Sequence, residues 1–235
     1  MKQYIQKRLP FVVVIYRKFR RWRAELYLKR IKNWSLQEVF EDAYKGMLHL
    51  ESASGGGSTI QATERIREEI PALFKRLDIR SMIDAPCGDF NWMNKVSLTL
   101  DMYYGCDIVP ELIVKNKNKY GNEKKQFLNL DITKDELPTA DVILCRDCLV
   151  HLSYENIFAA INNFKKSGSK YLLTTTFPTE QINKDIITGD WRPINFCKTP
   201  FCLPDPKILI DEQWFEVGRK TGKSIGLWCL NDVKI

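Results

Sequence analysis

The sequence predicts a doubly wound α/β fold, in which a mostly parallel, seven-stranded-type sheet carries helices on both faces and a helical N-terminal extension precedes it. Two observations predict it. Short apolar runs at 81–84, 102–107, 126–131, 140–145 and 171–176 alternate with segments of helical spacing, and a strand that returns through a helix pairs parallel to its predecessor. The composition, 44% apolar and 28% charged over 235 residues, is that of one substantial globular domain with a buried core.

The elements follow in order. Residues 1–33 form a basic arm: eleven Lys/Arg stand against the single acid Glu25, a net of +10. Since the whole chain carries +7, residues 34–235 carry a net of −3, and the basic character belongs to the arm. A short amphipathic helix is predicted over 34–49, with Leu36, Val39, Phe40, Ala43 and Met47 at helical spacing. The run Ser54-Gly55-Gly56-Gly57-Ser58 breaks it. Ser58 or Thr59 can cap a new helix to about Arg76, with Ile60, Ile66, Ile70, Leu73 and Phe74 inward. Helices over 109–120, with Pro110 in the first turn, and 153–166, capped by Ser153, lie between later strands. After Phe177 the alternation gives way to a Pro- and aromatic-rich loop, expected to be ordered, and then to two final strands near 208–210 and 224–230.

Seven scattered cysteines without small-scaffold spacing read as free thiols in a reducing, cytoplasmic setting. The apolar run 9–16 is far shorter than the roughly 20 residues that a bilayer span needs. A basic cluster, Arg17-Lys18-Phe19-Arg20-Arg21-Trp22-Arg23, follows it where a cleavage site would stand. Its interleaved apolar and basic residues suit an anionic membrane surface, placing the protein peripherally at the inner face. RNA binding, or packing on the domain or a second subunit, are the rival uses of the arm.

Open α/β sheets bind ligands beyond the carboxyl ends of their strands. The first strand ends in Asp84-Ala85-Pro86-Cys87-Gly88-Asp89. An acid there can hold an ammonium group, and a small-residue turn lets backbone N–H groups approach a ligand. The second ends in Asp107, 23 residues after Asp84, where a carboxylate can accept both hydroxyls of a ribose. The third ends in Asp131-Ile132, an acid–apolar pair suited to an adenine edge, although 131–135 also reads as an ordinary turn.

Asp84-Ala85-Pro86-Cys87-Gly88 resembles motif I of the class I S-adenosylmethionine-dependent methyltransferases. Asp107 is similar to that family's ribose-binding acid, Asp131-Ile132 to its adenine-edge pair, and Cys145-Arg146-Asp147 to the motif that faces methyl donor and acceptor. The resemblance spans about residues 55–235. It implies the Rossmann-like methyltransferase fold, S-adenosylmethionine as cofactor, and Asp84, Cys87, Gly88, Asp107, Asp131 and Ile132 as its binding residues. It departs from the family in keeping only Gly88 of a loop that often has three glycines.

Catalytic candidates are Asp147 and His151, which a helical turn would place on one face, where a His–Asp pair could deprotonate a hydroxyl acceptor. His151 could equally cap or pack the next helix. Cys145-x-x-Cys148-x-x-His151 also has zinc-like residues, but no second CxxC exists and no metal is expected. Trp191, Arg192 and Asn195 in the long loop would suit a sugar, an anionic sugar nucleotide or a lipid-linked acceptor; a hydrophobic lid is the plainer reading. The glycine run before the third helix is read either as a cover over the cofactor or as a linker. The expected function is methyl transfer to an oxygen, rather than a nitrogen, of a small-molecule or glycan acceptor. By resemblance this points to bacterial surface-polysaccharide biosynthesis or secondary metabolism. A non-catalytic membrane- or RNA-binding scaffold is one alternative. A nicotinamide-dependent oxidoreductase is the other, although the first turn lacks G-x-G-x-x-G.

Overall fold

The computed structural model describes residues 22–216 and 219–235, so the apolar run 9–16 and most of the basic arm lie outside the described residues. The chain divides into two compact units, residues 1–35 and 36–235. In the first, residues 22–31 form helix α1. Trp22 and Leu26, one turn apart on it, are exposed, and the Arg30 guanidinium lies 4.9 Å from the centroid of the Trp34 ring. No described helix is long and apolar enough to cross a membrane.

The second unit realises the alternation. Strands β1 (Ser81–Asp84), β2 (Met102–Asp107) and β5 (Tyr171–Thr176) have the expected bounds. β4 (Val142–Cys145) starts two residues later than predicted because Asp141 is diverted: its carboxylate accepts the Arg80 and Ser81 N–H groups at 2.9 and 2.8 Å, tying the entries of β1 and β4 together. β3 (Lys125–Asn129) ends early because Asp131 turns away, its N–H bonded to Asp135 Oδ2 at 2.8 Å. The last two strands are β6 (Ile208–Asp211) and β7 (Ser224–Cys229), with a small hairpin, Phe215–Glu216 against Arg219–Lys220, between them.

The sheet order is β3-β2-β1-β4-β5-β7-β6, with every neighbour parallel except β7, which runs antiparallel to both β5 and β6. The order reverses between β1 and β4, the switch point that opens a crevice at the carboxyl edge. A nicotinamide-binding sheet of the 3-2-1-4-5-6 type has no such antiparallel insertion.

Helices are α2 (Leu36–Met47), α3 (Glu64–Arg76), α4 (Pro110–Tyr120) and α5 (Tyr154–Lys166). Helix α3 begins five residues after Thr59, the later of the two predicted caps. Thr59 Oγ1 instead accepts from the Ala62 N–H at 3.1 Å and closes a turn, while residues 56–58 form one short 3₁₀ turn. Successive strand residues point to opposite faces, which sorts the core into two layers. Met82, Val142, Leu144 and Leu173 pack with Ile66, Ile70, Leu73 and Phe74 of α3 and Ile113 of α4. Ile83, Ile143, Cys145 and Leu172 pack on the other face with Ile157, Ile161 and Phe164 of α5. Phe196 and Phe201 from the long loop complete that second layer, and Trp228 of β7 donates its indole N–H to Pro204 O at 2.7 Å. Phe196 and Phe201 of this loop are therefore core.

Candidate active site

At the switch point the two strand-end acids are buried and close to the small turn between them. Asp84 accepts a hydrogen bond from the Tyr103 hydroxyl at 2.7 Å. Burial pushes its carboxyl up to about 7; the Tyr103 bond and nearby Arg146 oppose this, and the neighbouring Asp107 charge adds to it. Asp107 accepts the Gly88 N–H on Oδ2 and the Val109 N–H on Oδ1, both at 3.0 Å. Burial raises it too, to about 6, against those backbone donors. Two buried carboxylates in a low-dielectric crevice favour a ligand that brings an ammonium group and hydroxyl donors.

Gly88 adopts φ +53°, and a Cβ there would stand 2.0 Å from Ser54 Oγ, so side chains are excluded from the turn on both counts. Cys87 is buried, with its thiol pushed well up by burial, and Asn116 Nδ2 donates to Gly88 O at 2.7 Å. Asp131 makes an Asx turn, accepting the Thr133 N–H and hydroxyl at 2.9 and 2.6 Å, with Lys134 at 3.3 Å; Ile132 is buried beside it. Residues 131–135 form the ordinary turn, with the Asp131 carboxylate engaged by Thr133 and Lys134.

The glycine run is held against this turn. Asp89 accepts from Ser52 Oγ at 3.0 Å, the Ala53 N–H at 2.8 Å and Ser54 Oγ at 3.3 Å, while its own N–H donates to Ser54 Oγ at 2.9 Å. Asn91 Nδ2 reaches Ser58 O at 3.1 Å. Residues 52–58 form a strap fixed on the turn after β1, which answers the linker reading.

Asp147 and His151 do not hydrogen-bond to each other. Asp147, in the left-handed region at φ +53°, meets Lys223 Nζ at 2.5 Å and Arg146 Nη1 at 3.3 Å. Burial would raise its carboxyl, but those two cations outweigh it and hold it at about 2. At neutral pH it is a fixed anion and takes no proton. His151, in the 3₁₀ turn Leu149–His151, has Nδ1 2.8 Å from Asp190 O. A carbonyl only accepts, so Nδ1 carries the proton and Nε2 the lone pair. Burial lowers the imidazole below its ordinary value, so it is neutral at pH 7. The zinc-like trio is not gathered: no group of His, Cys, Asp and Glu suited to a metal occurs among the described residues.

Two predicted acceptor contacts point inward instead. The Arg192 guanidinium is buried and donates to the carbonyls of Leu149 at 3.0 Å, Leu152 at 2.6 Å and Lys184 at 3.2 Å; burial lowers it to about 10, still a cation. Asn195 Nδ2 donates to Pro178 O and Glu180 O. Engaged by these backbone carbonyls, Arg192 and Asn195 hold the loop and the turn carrying His151. Trp191 is half exposed, edge-on to Phe177.

The sequence reading missed Glu212 and Lys223. With Arg146 and the partly exposed Asp147 they form a quartet at the ends of β4 and β6 and the start of β7, the other three side chains buried. In it Arg146 Nη2 lies 2.5 Å and Lys223 Nζ 3.3 Å from Glu212 Oε2. The acid-at-a-strand-end signal that singled out Asp84 and Asp107 was also present in Asp211-Glu212 after β6. Lys223 carried no such signal.

No family model matches the chain, and no curated protein does. Among solved structures, the methyltransferase domain of bacterial CtHen1 is similar, with TM-score 0.54 and 12% identity over 71% of this chain and 97% of that one. The N-methyltransferase NodS from Bradyrhizobium japonicum, in complex with S-adenosyl-L-homocysteine, gives TM-score 0.50 and 13% identity over 59% and 73%. The magnesium protoporphyrin IX methyltransferase from Synechocystis is matched over 51% of this chain but only 58% of its own length, with 18% identity and TM-score 0.42. The sheet order, its single antiparallel strand and the likenesses to the CtHen1 domain and NodS agree: the chain has the fold of the class I S-adenosylmethionine-dependent methyltransferases.

Proposed function

We propose that this protein is an enzyme that transfers a methyl group from S-adenosylmethionine to an oxygen, in preference to a nitrogen, of a small-molecule or glycan acceptor. The observation that carries the cofactor is the pair of buried carboxylates, Asp84 and Asp107, at the ends of β1 and β2 on either side of the Gly88 turn at the switch point. Their chemistry fits the cofactor: Asp84 would hold its ammonium, Asp107 its ribose hydroxyls, Cys87-Gly88 would allow close approach, and Asp131-Ile132 would border the adenine. When bound, the cofactor supplies a methyl group on a sulfonium, a good leaving group, so the chain's task is positioning.

The preference for oxygen comes from His151. Its fixed tautomer leaves Nε2 as a neutral lone pair, which can take the proton of an acceptor hydroxyl. Asp147 supports it as a permanent negative charge. The exposed Trp191 ring, next in sequence to the Asp190 that orients His151, would stack on a sugar face. Arg192, Arg146 and Lys223 are committed inside the protein, which favours a neutral acceptor over an anionic one. The basic arm would place the enzyme against anionic lipid, since Trp22 and Leu26 add exposed apolar surface to its charge.

The test is titration with S-adenosylmethionine, followed by mass spectrometry of cell extracts incubated with the enzyme and methyl-labelled cofactor. A labelled O-methyl glycoside is the expected product. Label on amines alone would overturn the oxygen assignment.

A further inference from the structure

The quartet of Arg146, Asp147, Glu212 and Lys223 does more than balance charge. As a stability device it is poor, because removing four charges from water costs about as much as their pairing returns. It is also incomplete: Glu212 Oε1 is buried with no hydrogen-bond partner among the described residues. What the quartet does hold is the strap. The Arg146 guanidinium places Nη2 and Nε at 2.5 and 3.2 Å from Glu212 Oε2, and this directs Nη1 onto Gly57 O at 2.8 Å. A planar fork transmits orientation in this way, whereas a lysine ammonium does not. The fit is close: a Cβ on Gly57 would stand 2.6 Å from Asp147 Oδ2. Lys223 bridges Asp147 and Glu212 and keeps both carboxylates paired. The guanidinium also faces the Trp92 ring at 5.5 Å, which limits its movement.

The strap is thus pinned at residues 52–54 by Asp89 beside the turn after β1, at Ser58 by Asn91 and at Gly57 by Arg146. We propose that Arg146 and Glu212 are positioning residues that latch residues 54–58 over the cofactor site, so that side chains at the ends of β4 and β6 set how long the cofactor stays. The role in cofactor residence rests on the methyltransferase reading above; the latch itself does not.

Two neighbouring glycines separate the effect from general instability. A Cβ on Gly56 would meet nothing within 4 Å, and neither Gly56 nor Gly57 has a positive φ, so only Gly57→Ala disturbs the seat on Asp147. Hydrogen exchange of the ligand-free full chain should show strap amides about tenfold faster in Gly57→Ala and in Arg146→Lys, within about twofold of the parent in Gly56→Ala, and unchanged in β4 and β5. In a competition experiment, release of S-adenosylhomocysteine should be about fivefold faster in Arg146→Lys and Glu212→Gln than in the parent, because the strap opens more often. Equal exchange in the two alanine variants, or parent-like exchange in Arg146→Lys, would overturn the latch. Unchanged release alongside a faster strap would overturn its role in residence. Failure of the parent to bind S-adenosylhomocysteine would instead sink the cofactor reading, while the exchange contrast still decides the latch.

Discussion

The Gly88 amide nitrogen lies 3.0 Å from Asp107 Oδ2, so the turn that ends the first strand and the acid that ends the second hold each other in place. Under the proposed function the same carboxylate would be both a brace and a ligand group. Asp107→Ala should lose the ribose contact and loosen the turn together. Charged hydrogen bonds are worth about 1.5–3 kcal/mol, so cofactor affinity should fall by roughly tenfold to a hundredfold, read by calorimetry. Asp107→Asn, which keeps an acceptor, should lose less.

Binding should also depend on pH. Asp84 titrates at about 7 in the free protein, and a bound ammonium group would favour its ionised form and lower that value. Affinity for S-adenosylmethionine should therefore be flat above pH 7 and weaken as pH falls below it, with a proton released on binding. Asp84→Asn should bind more weakly at pH 8 and show a flatter profile. The effect on folding has the opposite sense: a carboxyl raised from its ordinary 3.8 contributes stability that is complete below that value and lost as pH rises through about 7. Melting curves of the parent and Asp84→Asn across this range check the sign.

If His151 is the base, His151→Ala should lower kcat by about 10²–10⁴-fold and leave cofactor affinity near that of the parent. The rate of the parent should be level above neutral pH and fall where the imidazole protonates, below its ordinary 6.5. A His151→Ala enzyme with parental kcat would remove the base and the argument for oxygen with it.

Arg192 and Trp191 are adjacent but should behave oppositely. Arg192→Ala removes the guanidinium that ties Leu149, Leu152 and Lys184 together and leaves the buried Leu152 carbonyl without its donor, which alone costs about 1–3 kcal/mol, so a fall in melting temperature is expected. Trp191→Ala removes a half-exposed ring and should cost under about 1 kcal/mol of stability while weakening acceptor binding. Denaturant unfolding of the pair separates the two roles.

The arm makes its own prediction. The full chain should sediment with vesicles containing phosphatidylglycerol and not with neutral phosphatidylcholine vesicles, with binding that weakens as salt is raised. Trp22→Ala with Leu26→Ala should reduce it. Tighter binding to RNA than to the anionic vesicles would reverse the assignment.

The sheet was legible because short apolar runs alternating with helical spacing are a property of consecutive residues, as in Val142–Cys145, buried throughout. Asp84 and Asp107 were legible for a related reason: each follows directly on its own strand. The quartet was hidden because Arg146 and Glu212 lie 66 residues apart, and the antiparallel insertion of β7 that brings in Lys223 leaves no mark on local pattern. Arg192 and Asn195 looked like ligand-binding groups because sequence shows the donors but not the backbone carbonyls that the folded loop sets around them. The strap's attachment depends on Asp89 reaching back 35 residues and more, again a tertiary fact.

The most direct test of the central claim is calorimetric titration of the full chain with S-adenosylmethionine, with the nicotinamide dinucleotide NAD in a parallel cell. The account predicts saturable binding of the first, lost in Asp107→Ala, and none of the second. Binding of NAD alone, or of neither by a folded protein free of co-purified ligand, would contradict it.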